Sequence, residues 1–174
     1  MEYRRMGESD LVVSAIGFGC WPMGGTQYGE VDDQEEVQAV QYALDHGFTL
    51  FDTAAGYGPG HSEEVLGRAL GKRRREAVVV TKCGMAWVPE SKSFRRDSSR
   101  TNIMAEIDAS LHRLDTDYVD LYLIHWPDPN TPFAESIETL QEIVGAGKAR
   151  YIGVSNFNAQ QIRECRSLLE FRAA

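Results

Sequence analysis

The chain has 174 residues, a hydrophobic fraction of 43%, a charged fraction of 25% and a formal net charge of −8. This length and composition favour one soluble globular domain with its own core, and we expect residues 1–174 to form it. The acidic balance argues against nucleic-acid binding, which needs a basic surface to meet phosphates. No apolar run approaches the roughly 20 residues of a membrane span.

The three cysteines, Cys20, Cys83 and Cys165, are widely spaced. They form neither a C-x-x-C motif nor an even framework, which is typical of reduced thiols in a cytoplasmic protein. Nothing near the N-terminus resembles a secretory signal. No spacing of cysteine, histidine and acidic residues indicates a metal site. We therefore expect a cytoplasmic protein without metal, membrane or nucleic-acid partners.

The chain is predicted to start with a β-hairpin, because residues 3–6 and 11–13 flank the turn-forming residues 7–10. A first buried strand is expected at 15–19. Helix and strand signals then alternate, which predicts five βα units. The strands are near-continuous runs of valine, isoleucine and leucine, as is typical of parallel strands buried on both faces.

Capping residues predict where the helices begin. Asp32 or Asp33 is expected to cap the first helix, and Ser62 the second, which ends near Leu70. Thr131 is expected to cap the fourth helix, with Pro132 at its first position. The fifth helix begins near residue 158. Apolar spacing predicts inward-facing residues in the third and fifth helices: Ile103, Ile107, Leu111, Leu114, Ile162, Cys165 and Leu169.

Two polar stretches separate these elements. Residues 72–75 (KRRR) follow the helix-ending Gly71, and we interpret them as a solvated helix end whose cations suit the negative end of the helix dipole. Residues 89–100 are predicted to form a loop after the third strand. Long loops on the catalytic side of an α/β fold often bind substrate.

Four predicted strands end in polar or ionisable residues, and a tyrosine follows the first of them. These residues are Asp52, Tyr57, Lys82, His125, Ser155 and Asn156. The C-terminal ends of parallel strands share one face, and that face carries the chemistry in barrel enzymes. The sequence therefore predicts that these side chains converge on one site.

The chemistry of this set centres on Lys82. A lysine that closes a buried strand needs a carboxylate partner, and Asp52 ends the preceding strand. An ion pair that only locks the two strands is the plain alternative. Tyr57 favours catalysis, because a nearby ammonium stabilises phenolate and lets a tyrosine act as a general acid. His125 could hydrogen-bond the same substrate oxygen.

Several motifs that carry these residues occur in a characteristic order. They are residues 51–54 (FDTA), 57–58 (YG), 62–63 (SE), 66–67 (LG), 81–82 (TK), 120–127 (DLYLIHWP) and 152–157 (IGVSNF). In combination they closely resemble the aldo-keto reductase family, and the resemblance covers essentially the whole chain.

The resemblance implies a catalytic tetrad of Asp52, Tyr57, Lys82 and His125. Tyr57 would be the proton donor, with Lys82 and Asp52 tuning it and His125 orienting the carbonyl group. It also implies reduction of a small aldehyde or ketone by hydride from NADPH, with NADH left open. Asp52 would contribute to the cofactor site, where Ser155 and Asn156 match the positions that hold the nicotinamide carboxamide.

The glycine and tryptophan residues of this site are expected near the cofactor or the substrate. Gly19 and Trp21 follow the first strand, and Trp126 follows His125. Trp87, in the loop after the third strand, is expected to bind substrate similarly, although plain packing is the alternative for each tryptophan. The chain has no G-x-G-x-x-G motif, which argues against a Rossmann domain and suits this family.

The family's fold is an α/β (β/α)8 TIM barrel, and the chain supplies only a β-hairpin and about five βα units of it. We therefore expect an incomplete barrel, truncated after the fifth unit. Its exposed strand edges would favour self-association. Two alternatives to a reductase stay open: a non-catalytic regulatory subunit that binds a nicotinamide nucleotide, and an inactive fragment that needs a complementary chain.

Overall fold

The computed structural model describes residues 1–25 and 29–170. The strands are β1 Tyr3–Arg5, β2 Val12–Ser14, β3 Phe18–Gly19, β4 Leu50–Asp52, β5 Val78–Cys83, β6 Met85–Val88, β7 Ser93–Arg96, β8 Val119–Ile124 and β9 Ala149–Val154. The helices are α1 Asp33–Asp45, α2 His61–Leu70, α3 Arg100–Leu114, α4 Phe133–Gly145 and α5 Ala159–Glu170, and short 3₁₀ turns occupy Pro22–Gly24 and Gly71–Glu76. Within the described ranges, no helix is long and apolar enough to cross a membrane.

Five strands form one parallel sheet in the order β3-β4-β5-β8-β9. Neighbouring strands in this sheet therefore belong to successive βα units of the chain. Phe51 of β4 pairs with Val79 of β5, and Val80 pairs with Leu121 of β8. Consecutive helices pack against one another, and the space between them and the sheet holds the buried apolar core. The prediction of five βα units is confirmed.

The N-terminal hairpin is confirmed, with β1 and β2 antiparallel and Tyr3 opposite Ser14. The first parallel strand is shorter than the predicted 15–19, since β3 covers only Phe18–Gly19. The N–H of Ala15 donates to the Glu2 carbonyl and so continues the hairpin instead.

The first helix starts at the predicted residue. Asp32 caps α1, with its carboxylate accepting the N–H groups of Gln34 and Glu35. The prediction that Ser62 caps the second helix is wrong, because α2 begins at His61 and the Ser62 hydroxyl is buried. That hydroxyl donates to the Cys20 carbonyl at 2.7 Å and so ties α2 to the end of β3.

The capping prediction for the fourth helix is off by one residue. Helix α4 starts at Phe133, and Pro132 occupies the N-cap position. The Thr131 hydroxyl donates to the Asp128 carboxylate at 2.7 Å, which removes it from the helix end. In α5, Cys165 is buried as predicted, whereas Ile162 is 41% exposed, so its inward prediction is wrong.

The interpretation of residues 72–75 as solvated fails at Arg74, whereas Lys72 and Arg75 are exposed as expected. Arg74 is only 8% exposed, and its guanidinium donates to the carbonyls of Ala77 and Tyr118 and, at 2.9 Å, to the Asp120 carboxylate. Asp120 also pairs with Arg150 at 2.9 Å. The sequence shows that residue 74 is basic, but it does not show that β8 brings the Asp120 carboxylate into contact with it.

The predicted loop at 89–100 contains a strand. Residues 93–96 form β7 and pair with β6, so that Trp87 lies opposite Phe94 and Met85 opposite Arg96. The β6–β7 hairpin, residues 85–96, stands directly after β5 and borders the site described next.

Candidate active site

Lys82 anchors the site at the end of β5. It is 5% exposed, and its ammonium donates to Asp52 Oδ1 at 2.6 Å, to the Thr53 carbonyl at 2.9 Å and to Tyr57 Oη at 3.2 Å. β4 and β5 are neighbours in register, which brings the carboxylate beside the ammonium. The Asp52 side chain is 43% exposed, so water reaches one member of the pair.

A tight loop aims Tyr57 at this ammonium. Its backbone packs against Gly24, where an added Cβ would lie 2.6 Å from the Gly58 nitrogen. Gly58 itself has φ +62, a conformation that glycine adopts without strain. A side chain at either glycine would therefore displace the loop. Lys82 Nζ lies 4.9 Å from the centre of the tyrosine ring, so the cation faces both the ring and the hydroxyl.

His125 completes the group from β8. Its ring meets the Tyr57 ring edge-on, with centroids 5.7 Å apart and planes at 79°. Burial, and then the Lys82 charge, lower the pKa of His125 to about 4. The imidazole is therefore neutral at pH 7 and can donate one N–H to an oxygen acceptor. Its Nδ1 is buried without a hydrogen-bond partner among the described residues.

Ser155 and Asn156 follow β9 beside His125. Asn156 has φ +62, and its amide nitrogen donates to the His125 carbonyl at 2.8 Å and to Ser155 Oγ at 3.1 Å. The Asn156 amide oxygen and the Ser155 hydroxyl proton have no role in these bonds. An amide acceptor and a hydroxyl donor are suited to a carboxamide ligand.

Two members of this group, Tyr57 and His125, line a pocket of about 290 Å³. Its walls are Trp21, Gly56, Tyr57, Met85, Phe94, His125 and Trp126. The Trp21 ring stacks on Tyr57 with centroids 6.1 Å apart, and Arg96 lies 5.3 Å from the centre of the Trp126 ring. A mostly aromatic pocket with a few polar groups is typical of small-molecule sites.

Two expected residues take different positions. Gly19 pairs with Asp52 in the sheet and faces open space, so it borders the site through its backbone. Trp87 packs on Phe94 at 4.9 Å but lines a neighbouring pocket. Met85 and Phe94 line the pocket beside Tyr57 and were missed from the sequence. The single aromatic residue among the polar residues 93–96 was the available signal.

No group of three or more histidine, cysteine, aspartate and glutamate side chains within residues 1–25 and 29–170 could hold a metal ion.

The fold and the site together define a class of α/β protein with a parallel sheet and a cluster of titratable side chains at the C-terminal ends of its strands. Comparison with known proteins identifies the family, because residues 15–174 match the Aldo/keto reductase family. The chain belongs to this family.

Curated relatives agree. The chain is 41% identical to aldo-keto reductase YhdN of Bacillus subtilis over 170 residues, covering 97% of this chain and 51% of the relative. It is 39% identical to the NADH-specific methylglyoxal reductase of Escherichia coli, covering 91% and 53%. It is also 39% identical to a probable voltage-gated potassium channel subunit beta of Arabidopsis thaliana, covering 94% and 49%. The chain spans about half the length of these relatives.

Solved structures give the same result. The glycerol dehydrogenase of Gluconobacter oxydans superposes with a TM-score of 0.86 at 40% identity, covering 95% of this chain and 52% of that one. An aldo/keto reductase of Klebsiella pneumoniae, solved with NADP and acetate, superposes with a TM-score of 0.72 at 37% identity, covering 86% and 48%. The chain thus has the (β/α)8 barrel fold in incomplete form, as predicted.

Proposed function

We propose that this chain supplies the proton-transfer half of a nicotinamide-dependent carbonyl reductase, with Tyr57 as the acid. The observation that carries the proposal is the contact of one buried ammonium, on Lys82, with both the Tyr57 hydroxyl and the Asp52 carboxylate. The ammonium stabilises phenolate, the form that remains after Tyr57 gives its proton to a carbonyl oxygen.

The other residues have supporting roles in this proposal. Neutral His125 donates a hydrogen bond to the same oxygen and so fixes the carbonyl group relative to Tyr57. Asp52 compensates the Lys82 charge and holds it in place. Trp21, Phe94 and Trp126 supply apolar walls around the reacting group.

The residues around Asn156 suit the nicotinamide end of a cofactor. Ser155 and Asn156 present a hydroxyl donor and an amide acceptor next to His125, which fits a carboxamide. A reduced nicotinamide, when bound, supplies the hydride that the carbonyl carbon accepts. We propose NADPH, in line with the NADP-bound Klebsiella relative, while the E. coli relative makes NADH the alternative to test.

The test uses a completed barrel, in which this chain is followed by the part of B. subtilis YhdN that it does not cover. Tyr57→Phe keeps the ring and removes the acidic proton, so carbonyl reduction should fall at least ~100-fold. Tyr42→Phe, at an exposed tyrosine on α1, is the matched control and should change nothing. Activity of Tyr57→Phe within a few-fold of the parent would rule out this role, and assays with each cofactor decide the preference.

A regulatory subunit is the second candidate, favoured by the 39% identity to the plant channel subunit. In that case the site would bind a nicotinamide nucleotide and turn over slowly. Nucleotide binding by the completed barrel without steady turnover of simple aldehydes would favour this candidate over a reductase.

A further inference from the structure

Glu106 of α3 reaches the base of the β6–β7 hairpin. Its Oε2 accepts the N–H of Gly84 at 2.5 Å. The carboxyl group also lines a second pocket of about 340 Å³, which lies behind the hairpin and includes Trp87, Asn102 and Arg113. No role in the proposed chemistry accounts for a carboxyl group at this position.

Gly84 is the turn at which the chain leaves β5 and enters the hairpin. Its φ is +84, and an added Cβ would lie 2.8 Å from Ser98 Oγ, so glycine is required on two counts. Its carbonyl accepts the N–H of Asp97 at 3.1 Å, at the far end of the hairpin. Glu106 therefore binds the N–H of Gly84, while the carbonyl of the same residue closes the far end of the hairpin. This turn lies two residues after Lys82.

The hairpin forms a wall shared by the two pockets. Met85 and Phe94 line the pocket beside Tyr57 and also the pocket beside Glu106. A shift of the turn at Gly84 would move both side chains against a bound carbonyl compound. The link from Glu106 to the wall thus runs through one backbone hydrogen bond and the strand that follows it.

We propose that Glu106 is a positioning residue, whose carboxylate fixes the turn at Gly84 and thereby holds the Met85 and Phe94 wall of the carbonyl pocket. This inference rests on the proposed function for its effect on substrate, but the effect on the hairpin stands without it. Glu106 touches neither Tyr57 nor the pocket that Tyr57 lines, so it acts through the hairpin alone.

The charge of this carboxyl group changes in the neutral range. Burial raises the pKa of Glu106 to about 7, and the Glu63 charge acts in the same direction. The N–H groups of Gly84 and Met85 and the Asn102 side chain lower it. Because an ionised carboxylate is the stronger acceptor, its hold on the turn should tighten as the pH rises through 7.

Among the ionisable groups that face one another here, Glu106 is the one whose charge changes near pH 7. Glu63 of α2 is fully buried and paired with Arg113 of α3 at 2.7 Å. Cys83 of β5 and Tyr122 of β8 are neutral, because burial raises the pKa of each well above its ordinary value. The pKa of Glu106 is higher in the folded protein than its ordinary 4.5, so ionising Glu106 lowers the free energy of unfolding as the pH rises from about 4.5 to 7. If Glu106 acted only on folding, the Glu106→Gln variant would therefore be more stable than the parent above pH 7.

Hydrogen exchange of the hairpin in the completed barrel tests the contact without any turnover. In the parent, protection of residues 84–96 should rise between pH 6 and pH 8, after correction for intrinsic exchange. Glu106→Ala should exchange there about 10-fold faster at pH 8, the effect of losing one charge-assisted hydrogen bond. Glu106→Gln keeps an acceptor, so it should restore part of the protection and remove its pH dependence.

Asp108→Asn is the matched control, since Asp108 lies on the same helix and pairs with Lys148 away from the hairpin. For a substrate that fills the pocket, KM should rise about 5-fold in Glu106→Ala at pH 8 with kcat nearly unchanged, and Asp108→Asn should match the parent. Unchanged hairpin exchange in Glu106→Ala and Glu106→Gln, or an equal change in Asp108→Asn, would overturn the proposal. Changed exchange in a parent that turns over nothing would instead count against the reductase function alone.

Discussion

Replacing Lys82 with methionine should separate chemistry from stability at this site. The substitution keeps most of the buried stem and removes an ammonium that contacts Asp52, Thr53 and Tyr57. The lost charge-assisted hydrogen bond to the Tyr57 oxygen is worth about 1.5–3 kcal/mol, which corresponds to a roughly 10- to 100-fold slower reduction.

The same substitution should cost little stability. The Asp52 side chain left behind is 43% exposed and can be hydrated, so we expect a loss of at most about 1 kcal/mol. Arg74→Met is the contrasting control at the opposite ends of the strands. It removes one of the two arginines that contact Asp120, whose side chain is 3% exposed, and takes a guanidinium donor from the carbonyls of Ala77 and Tyr118. Asp120 keeps Arg150, so we expect a loss of about 2–3 kcal/mol, the scale of a lost hydrogen bond to a charged group.

Both variants are measured in the completed barrel, by carbonyl reduction at neutral pH and by urea unfolding. Arg74→Met should lower the urea midpoint by about 1 M with little change in the reduction rate, whereas Lys82→Met should slow reduction and leave the midpoint nearly unchanged. A Lys82→Met protein with a near-normal reduction rate would refute the reasoning. The ion pair would then only lock β4 to β5.

Two further results are expected. The His125 pKa of about 4 lies below the ordinary 6.5, so the neutral form contributes stability that is lost as the pH falls from about 6.5 to 4. His125→Gln should therefore flatten this part of the plot of urea midpoint against pH. A plot identical to that of the parent would contradict the assignment. The 174-residue chain alone should bind NADPH weakly, because it spans about half the length of its relatives. It should also self-associate, because β9 has one paired neighbour in the described sheet and leaves an edge open. A monodisperse monomer on gel filtration with micromolar NADPH affinity by calorimetry would contradict this.

The sequence predicted the parallel sheet and the convergence on Lys82 because both depend on local signals. Runs such as residues 78–82 identify buried strands, and parallel pairing brings their last residues to one face. The motifs then identified the family that comparison supports. The positions of Asp52 and His125 follow from strand order, whereas that of Tyr57 also depends on the packing of its loop against Gly24.

The errors concern contacts between distant segments. Arg74 is buried only because β8 places Asp120 beneath it, which a run of basic residues does not reveal. Ser62 has the composition of a helix cap, but its hydroxyl bonds to Cys20, 42 residues away in sequence. Phe94 was missed as a wall of the pocket because the polar residues around it predicted a loop, whereas pairing with β6 makes a strand.

The order of strands in the sheet has a consequence for how the site is assembled. From β4 onward, each strand of the parallel sheet pairs with the strand of the preceding βα unit, so every pairing closes a loop of one unit. The entropy of closing such loops is modest, and contacts of short sequence separation form quickly. Asp52, Tyr57, Lys82 and His125 all come from three successive units. A chain that grows from its N-terminus on the ribosome can therefore bring its proton-carrying groups together by adding one strand at a time.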